Sequence, residues 1–232
     1  LIQPLLLTIG YLISGVGALY VILCKWGYTL FRPKLSNVLK TIKGSTDVFI
    51  NNIMPNFYNS FSVMLLGLFC GSTANGVYDG GNKFPTIFYQ FQSVISRAFY
   101  PFLSRRPDKH GFYAMLNMGV AIIGSALLVL LAPWVIHVIL GDEFNKSIVV
   151  MQILSVSIIF LSMSYTYGTS YLIIYHKEKP LRNLTFLSSI IGICISFPLT
   201  YYYNYMGAAI TVFICRGMLG IGSFVLARKC GA

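Results

Sequence analysis

Asp79, Lys83, Gln90, Gln92 and Arg97 stand within one aromatic stretch, Thr73 to Arg106, and Arg216 stands in a second apolar run. A charge inside hydrocarbon costs about 2.5 to 3.5 kcal/mol, so such groups normally face a bundle interior or a water-filled path. Pro85 and Pro101 are expected to break the helix near either end, and broken helices are tolerated at membrane depth where they line a cavity. The stretch therefore reads as one wall of a pathway for polar cargo, with its cations able to hold an anion.

The individual positions carry different weights of argument. Lys83 lies in the outer half of the stretch, with Asp79 one turn earlier, so it is either a pathway cation or half of an i,i+4 pair. Arg97 is expected on another face near the cytoplasmic end, where snorkelling to the interface competes with a cargo role. Arg216 follows Gly207 by nine residues, roughly 14 Å at 1.5 Å per residue, which places it near the midplane. There it either lines a cavity or pairs with backbone carbonyls or an acid of another span. Asn52, Asn56 and Asn59 follow i, i+4, i+7 spacing and give one helix a polar stripe. With Gln90 and Gln92 they suit a hydrated lumen, and bonding between helices is the competing explanation.

No nucleotide-binding, zinc-protease or nucleophile-elbow motif occurs, and no paired intramembrane carboxylates suggest general acid and base. The five cysteines sit in or beside apolar runs without a C-x-x-C pair, and the three histidines stand alone. The reading is therefore not an enzyme, with no catalytic residue, metal or cofactor.

The elements that must position these residues follow from composition. Of the 232 residues 56% are hydrophobic and 10% charged, with mean hydropathy +0.72, which fits an all-α integral membrane protein. A net charge of +11 does not point to nucleic acid, because the basic residues arrive in short clusters between apolar runs. A template of about 20 apolar residues finds seven spans: 4–24, 48–70, 76–102, 112–140, 148–175, 184–203 and 207–227. Lys and Arg concentrate in alternate connections. Setting aside Lys83, Lys146 and Arg216 leaves fourteen of the 17 basic residues on one side, which the positive-inside rule makes cytoplasmic.

That orientation starts Leu1 outside, so the reading expects a fragment from which an odd number of spans is missing upstream. Three parts are expected: 1–24, the last helix of a preceding lobe; 25–46, a basic amphipathic linker at the cytoplasmic interface; and 47–232, a six-helix transport lobe. Trp26, Tyr28, Tyr100, Trp134 and the run Tyr201 to Tyr205 read as interfacial anchors. Gly67, Gly71, Gly192, Gly217, Gly220 and Gly222 read as close helix contacts.

A family resemblance rests on three features. The pattern Gly76, Tyr78, Lys83, Ile95 and Ala98-Phe99-Tyr100-Pro101-Phe102-Leu103-Ser104 resembles the eighth helix of Wzx-type O-antigen and polysaccharide flippases. Met206-Gly207-Ala208-Ala209-Ile210-Thr211 resembles the start of their twelfth helix, and the spans match in order and orientation. The resemblance implies helices six to twelve of a twelve-helix, two-lobe exporter fold, with five spans upstream and a cationic central cavity that rocks between two openings. Lys83 matches a basic position of the eighth helix, whereas Arg216 rests on the depth argument alone.

The expected function is an alternating-access flippase for polyprenyl-diphosphate-linked oligosaccharide in the bacterial inner membrane. Its expected pathway residues are Lys83, Arg216, Arg97, Asp79, Gln90, Asn52, Asn56 and Asn59. Expected partners are the lipid-linked oligosaccharide, membrane lipids, a coupling H+ or Na+, and a polysaccharide polymerase. The alternatives are a multidrug or cation antiporter, which would favour an acidic cavity, and a membrane-embedded glycan polymerase or ligase, which would carry a large outer loop.

Overall fold

A computed structural model of the chain describes residues 2–25 and 34–230. Two compact units divide it, Leu1–Ser45 and Thr46–Ala232. In the first unit, helix α1 (Ile2–Tyr20) winds into a π turn at Val21–Lys25, and residues 35–45 form α2. Leu35, Leu39 and Ile42 recur along α2 at helical spacing and are exposed, which gives that helix an apolar stripe. Trp26, Tyr28 and Arg32 of the expected linker lie outside the described residues.

In the second unit, helical backbone runs to the end of Leu35–Arg105 and over Glu178–Lys229 with one interruption in each. Gly71 (φ 81°, ψ −180°) interrupts the first and Asn204 (φ 57°, ψ −135°) the second. Positive φ suits glycine, which has no Cβ, and is tolerated by asparagine. The Tyr205 amide donates to Asn204 Oδ1 at 2.8 Å, which holds the second break.

At both breaks the chain reverses. Asn75 Nδ2 lies 2.8 Å from where a Cβ on Gly67 would stand, although eight residues of unbroken helix would put these positions about 12 Å apart. Similarly, a Cβ on Gly207 would strike the Leu199 carbonyl. Helices α3 (46–70) and α4 (72–105) are therefore one hairpin, and α7 (178–203) and α8 (205–229) another. Between them come α5 (His110–Ile139) and α6 (Ser147–Met163), which continues as a π-helix over Ser164–Leu172.

The breaks are not where proline was expected to put them. Backbone dihedrals stay helical through Pro85, Pro101, Pro133 and Pro198. Next to Pro85, the Thr86 hydroxyl donates to the Asn82 carbonyl at 2.7 Å and meets the Tyr89 hydroxyl at 2.8 Å.

Four helical segments among the described residues are long and apolar enough to cross a membrane: Ile53–Arg105, Pro107–Ile139, Ser147–Leu172 and Glu178–Lys229. Together with an all-helical backbone they fit an integral membrane protein. Near Gly71 and Asn204, Leu66, Ala74, Tyr78, Val150, Leu154, Ala208, Ala209 and Val212 pack together and tie α3, α4, α6 and α8. At the opposite end Tyr171, Leu172, Leu181 and Ala227 tie the π segment to α7 and α8.

Serines bond across the helices: Ser147 Oγ to the Val77 carbonyl at 2.7 Å, Ser125 Oγ to the Ser155 carbonyl at 2.8 Å, and Ser62 to Ser196 at 2.9 Å. Outside, Met115, Leu130, Ile123 and Tyr202 are among many exposed large apolar residues, as lipid contact would require.

Candidate functional site

Arg216 of α8 is 4% exposed, yet no ion pair reaches it among the described residues. Its Nη1 donates to Ser157 Oγ of α6 at 2.8 Å, and its guanidinium lies over the Tyr89 ring of α4, 4.7 Å from the centroid. Tyr58, Tyr78 and Tyr165 stand near enough to feel its charge. A buried charge is normally paired with an opposite one. Here a hydroxyl and a π face partly replace the lost water, and a guanidinium carries five N–H donors.

Arg216 opens on a cavity of about 490 Å³. Asn59, Ser60, Val63, Met64 and Gly67 of α3 line one side, and Asn75, Tyr78, Asn82 and Tyr89 of α4 the other. No carboxylate is among these lining residues. The Gly71 break creates this wall, because it lays the two helices side by side. Asn75, Asn82 and Tyr89 recur every seven residues, close to two helical turns, and so share one stripe.

Arg216 and Asn59 thus line the cavity, whereas Lys83, Asp79, Gln90 and Arg97 are exposed and do not. At 100° per residue these four lie about 75° round α4 from the stripe of Asn75, Asn82 and Tyr89. Arg97 was expected on another face from Lys83. Fourteen residues are nearly four full turns, and the helix is unbroken between them, so the two share a side. Exposed Ile87, Phe91 and Val94 lie further round. The surface of α4 therefore passes from cavity wall, to exposed polar strip, to apolar face.

No ion pair joins Asp79 to Lys83 among the described residues. The side chains of Asn52 and Asn56 lie outside the described residues. Gln92 parts from Gln90: it is fully buried, and neither polar atom of its amide has a partner. Deeper along α4, Ser93 lies near the side chain of Tyr165 on the π segment, and Tyr165 is also close to Arg97 and Arg216. Polar groups thus continue from the cavity toward the end of α4 that carries Arg105 and Arg106.

Sequence reading missed Asn75, Asn82, Tyr89 and Ser157. The seven-residue recurrence was a usable signal for the first three. Ser157 had none, since one hydroxyl among several on α6 becomes a partner only once α8 is packed against it.

Among the described residues these features are those of a multi-pass, all-helical membrane protein in which an enclosed cation, Arg216, faces a polar hollow. Residues 1–106 match the family described as "Polysaccharide biosynthesis protein". A protein of Shigella dysenteriae named "Putative O-antigen transporter" is 26% identical over 210 residues, covering 88% of this chain and 53% of that protein. One of Escherichia coli (strain K12) with the same name is 22% identical over 209 residues, covering 87% of this chain and 50% of that protein. The chain spans about half the length of these curated relatives. No solved structure matches it. The matches support the resemblance to Wzx-type polysaccharide flippases, and the named relatives are transporters, not enzymes.

Proposed function

We propose that this chain is part of a flippase that carries polyprenyl-diphosphate-linked oligosaccharide across the bacterial inner membrane by alternating access. The observation that carries the reading is Arg216: an enclosed cation without an acidic partner among the described residues, on the wall of a polar cavity. A diphosphate is its chemical complement, because charge-assisted hydrogen bonds strengthen where water is scarce. The exposed strip of Asp79, Lys83, Gln90 and Arg97 continues the cavity's polar surface and suits the wall of an aqueous passage.

In this reading the hairpins at Gly71 and Asn204 make six membrane-crossing helices of the second unit, and α1 a seventh. They correspond to helices six to twelve of the exporter fold. The basic end, with Arg105, Arg106, Lys109, Lys177, Lys179, Arg182, Arg228 and Lys229, faces the cytoplasm, and α2 lies at that interface. An H+ or Na+ gradient supplies the energy, and a polysaccharide polymerase receives the product. An antiporter for cations is disfavoured by the absence of acids from the cavity lining.

The test replaces Arg216 in the native protein expressed in cells. Loss of a charged hydrogen bond is worth about 1.5 to 3 kcal/mol, so Arg216→Ala is expected to lower surface polysaccharide by at least tenfold at unchanged protein level, with Arg216→Lys intermediate. Full surface polysaccharide in the alanine variant would remove Arg216, and the reading built on it.

A further inference from the structure

We propose that Asn59, Asn75 and Asn82 form a sugar-reading subsite that begins beside the anion site at Arg216 and runs along the same cavity toward the Gly71 end. This rests on the flippase reading and adds where each part of the cargo sits.

Depth sets Asn75 apart from Arg216. Asn75 is four residues from the Gly71 break, about 6 Å along α4, and Asn82 about 16 Å. Arg216 is twelve residues from the Asn204 break at the same end, about 18 Å along α8. Asn59, twelve residues before Gly71, stands at the level of Arg216 on the facing helix. Asn59 and Asn82 thus share the level of Arg216, and Asn75 stands about 12 Å nearer the break.

Chemistry separates them further. Asn75 Oδ1 is buried without a hydrogen-bond partner among the described residues, and leaving a buried acceptor unsatisfied is unfavourable. It needs a donor. A diphosphate at neutral pH offers acceptor oxygens, so it cannot satisfy Asn75 Oδ1, whereas a sugar hydroxyl can donate to it. The Nδ2 of the same side chain packs where Gly67 has no Cβ, so the absence of a side chain at 67 makes room for this amide.

The experiment uses the purified native protein in lipid nanodiscs with two probes. One is a polyprenyl diphosphate without sugar; the other is the lipid-linked repeat unit extracted from cells that make the protein. Wild type is expected to bind the glycosylated lipid about tenfold more tightly than the bare one. Asn75→Ala and Asn82→Ala lose that gain and nothing else, and Arg216→Gln weakens both probes. Gly67→Ala, which displaces Asn75 without removing it, behaves like Asn75→Ala. Asn82 is only part-buried, so its variant decides the matter if Asn75→Ala does not fold.

Asparagine variants that weaken both probes alike, or neither, would overturn the sugar subsite while leaving the flippase reading intact. So would a wild type indifferent to the sugar. A wild type that binds neither probe would overturn the flippase reading itself, and this inference with it.

Discussion

Arg216 is kept in the interior by two neutral partners, and they do different things. Ser157 accepts one hydrogen bond and fixes the guanidinium's direction; the Tyr89 ring covers its face. A cation over an aromatic ring contributes about 0.5 to 2 kcal/mol, the upper figure when desolvated. Tyr89→Ala is therefore expected to slow transport by about three- to thirtyfold, while Tyr89→Phe, which keeps the ring, stays near wild type. Equal loss in both would move the role from the ring to the hydroxyl that meets Thr86.

Arg216 was legible in the sequence because a charge amid apolar residues is conspicuous. Its hydrogen-bond partner was not, since Ser157 is an ordinary hydroxyl until α6 packs against α8. Gln90 and Gln92 show the same limit: two residues along a helix turn a side chain by about 200°, and neighbours in sequence became one exposed and one enclosed amide.

At the scale of the element, small residues decide which helices touch. A Cβ on Gly220 would run into the Phe160 carbonyl of α6, whereas one on Gly217, a turn earlier on α8, would meet nothing within 4 Å. Both glycines read alike in the sequence, as one spacing pattern. Forcing extra atoms into a packed contact costs about 1 to 3 kcal/mol, and alanine in an open helical position is favoured over glycine by about 0.5 to 1 kcal/mol. Gly220→Val is thus expected to lower the melting temperature in detergent by several degrees, and Gly217→Ala to leave it unchanged or slightly raised. The reverse order would mean that α6 and α8 do not approach as described.

The hairpins were legible as gaps between apolar runs, and Gly71 and Asn204 are residue types that accept positive φ. Proline misled, because helix dihedrals persist through Pro85, Pro101, Pro133 and Pro198. The π segment Ser164–Leu172, where Thr166 receives His110 Nε2 on its carbonyl and Asn117 Nδ2 on its hydroxyl, left no trace in sequence spacing. A wider turn changes the register of a helix without changing its composition.

Across the molecule, charge separates by end and polarity by side. The first was plain from counting Lys and Arg between apolar runs; the second needed the rotation of α4 about its axis. In a cysteine-free background and opened membranes, Lys83→Cys, Gln90→Cys and Arg97→Cys are expected to react with a water-soluble maleimide. Ile87→Cys, Phe91→Cys and Val94→Cys are expected to stay unlabelled. Uniform labelling, or none, would erase the distinction between the two strips.

The exposed strip of α4 draws a shoreline down one helix, with oil on one bank and water on the other. Three of its four groups carry full charge, so hydrocarbon cannot be what lies on the wet bank. In the proposed alternating-access cycle, some other hydrophilic face has to come across and meet that bank when the passage shuts, and the ease with which the two part again sets how readily the molecule can turn its opening around.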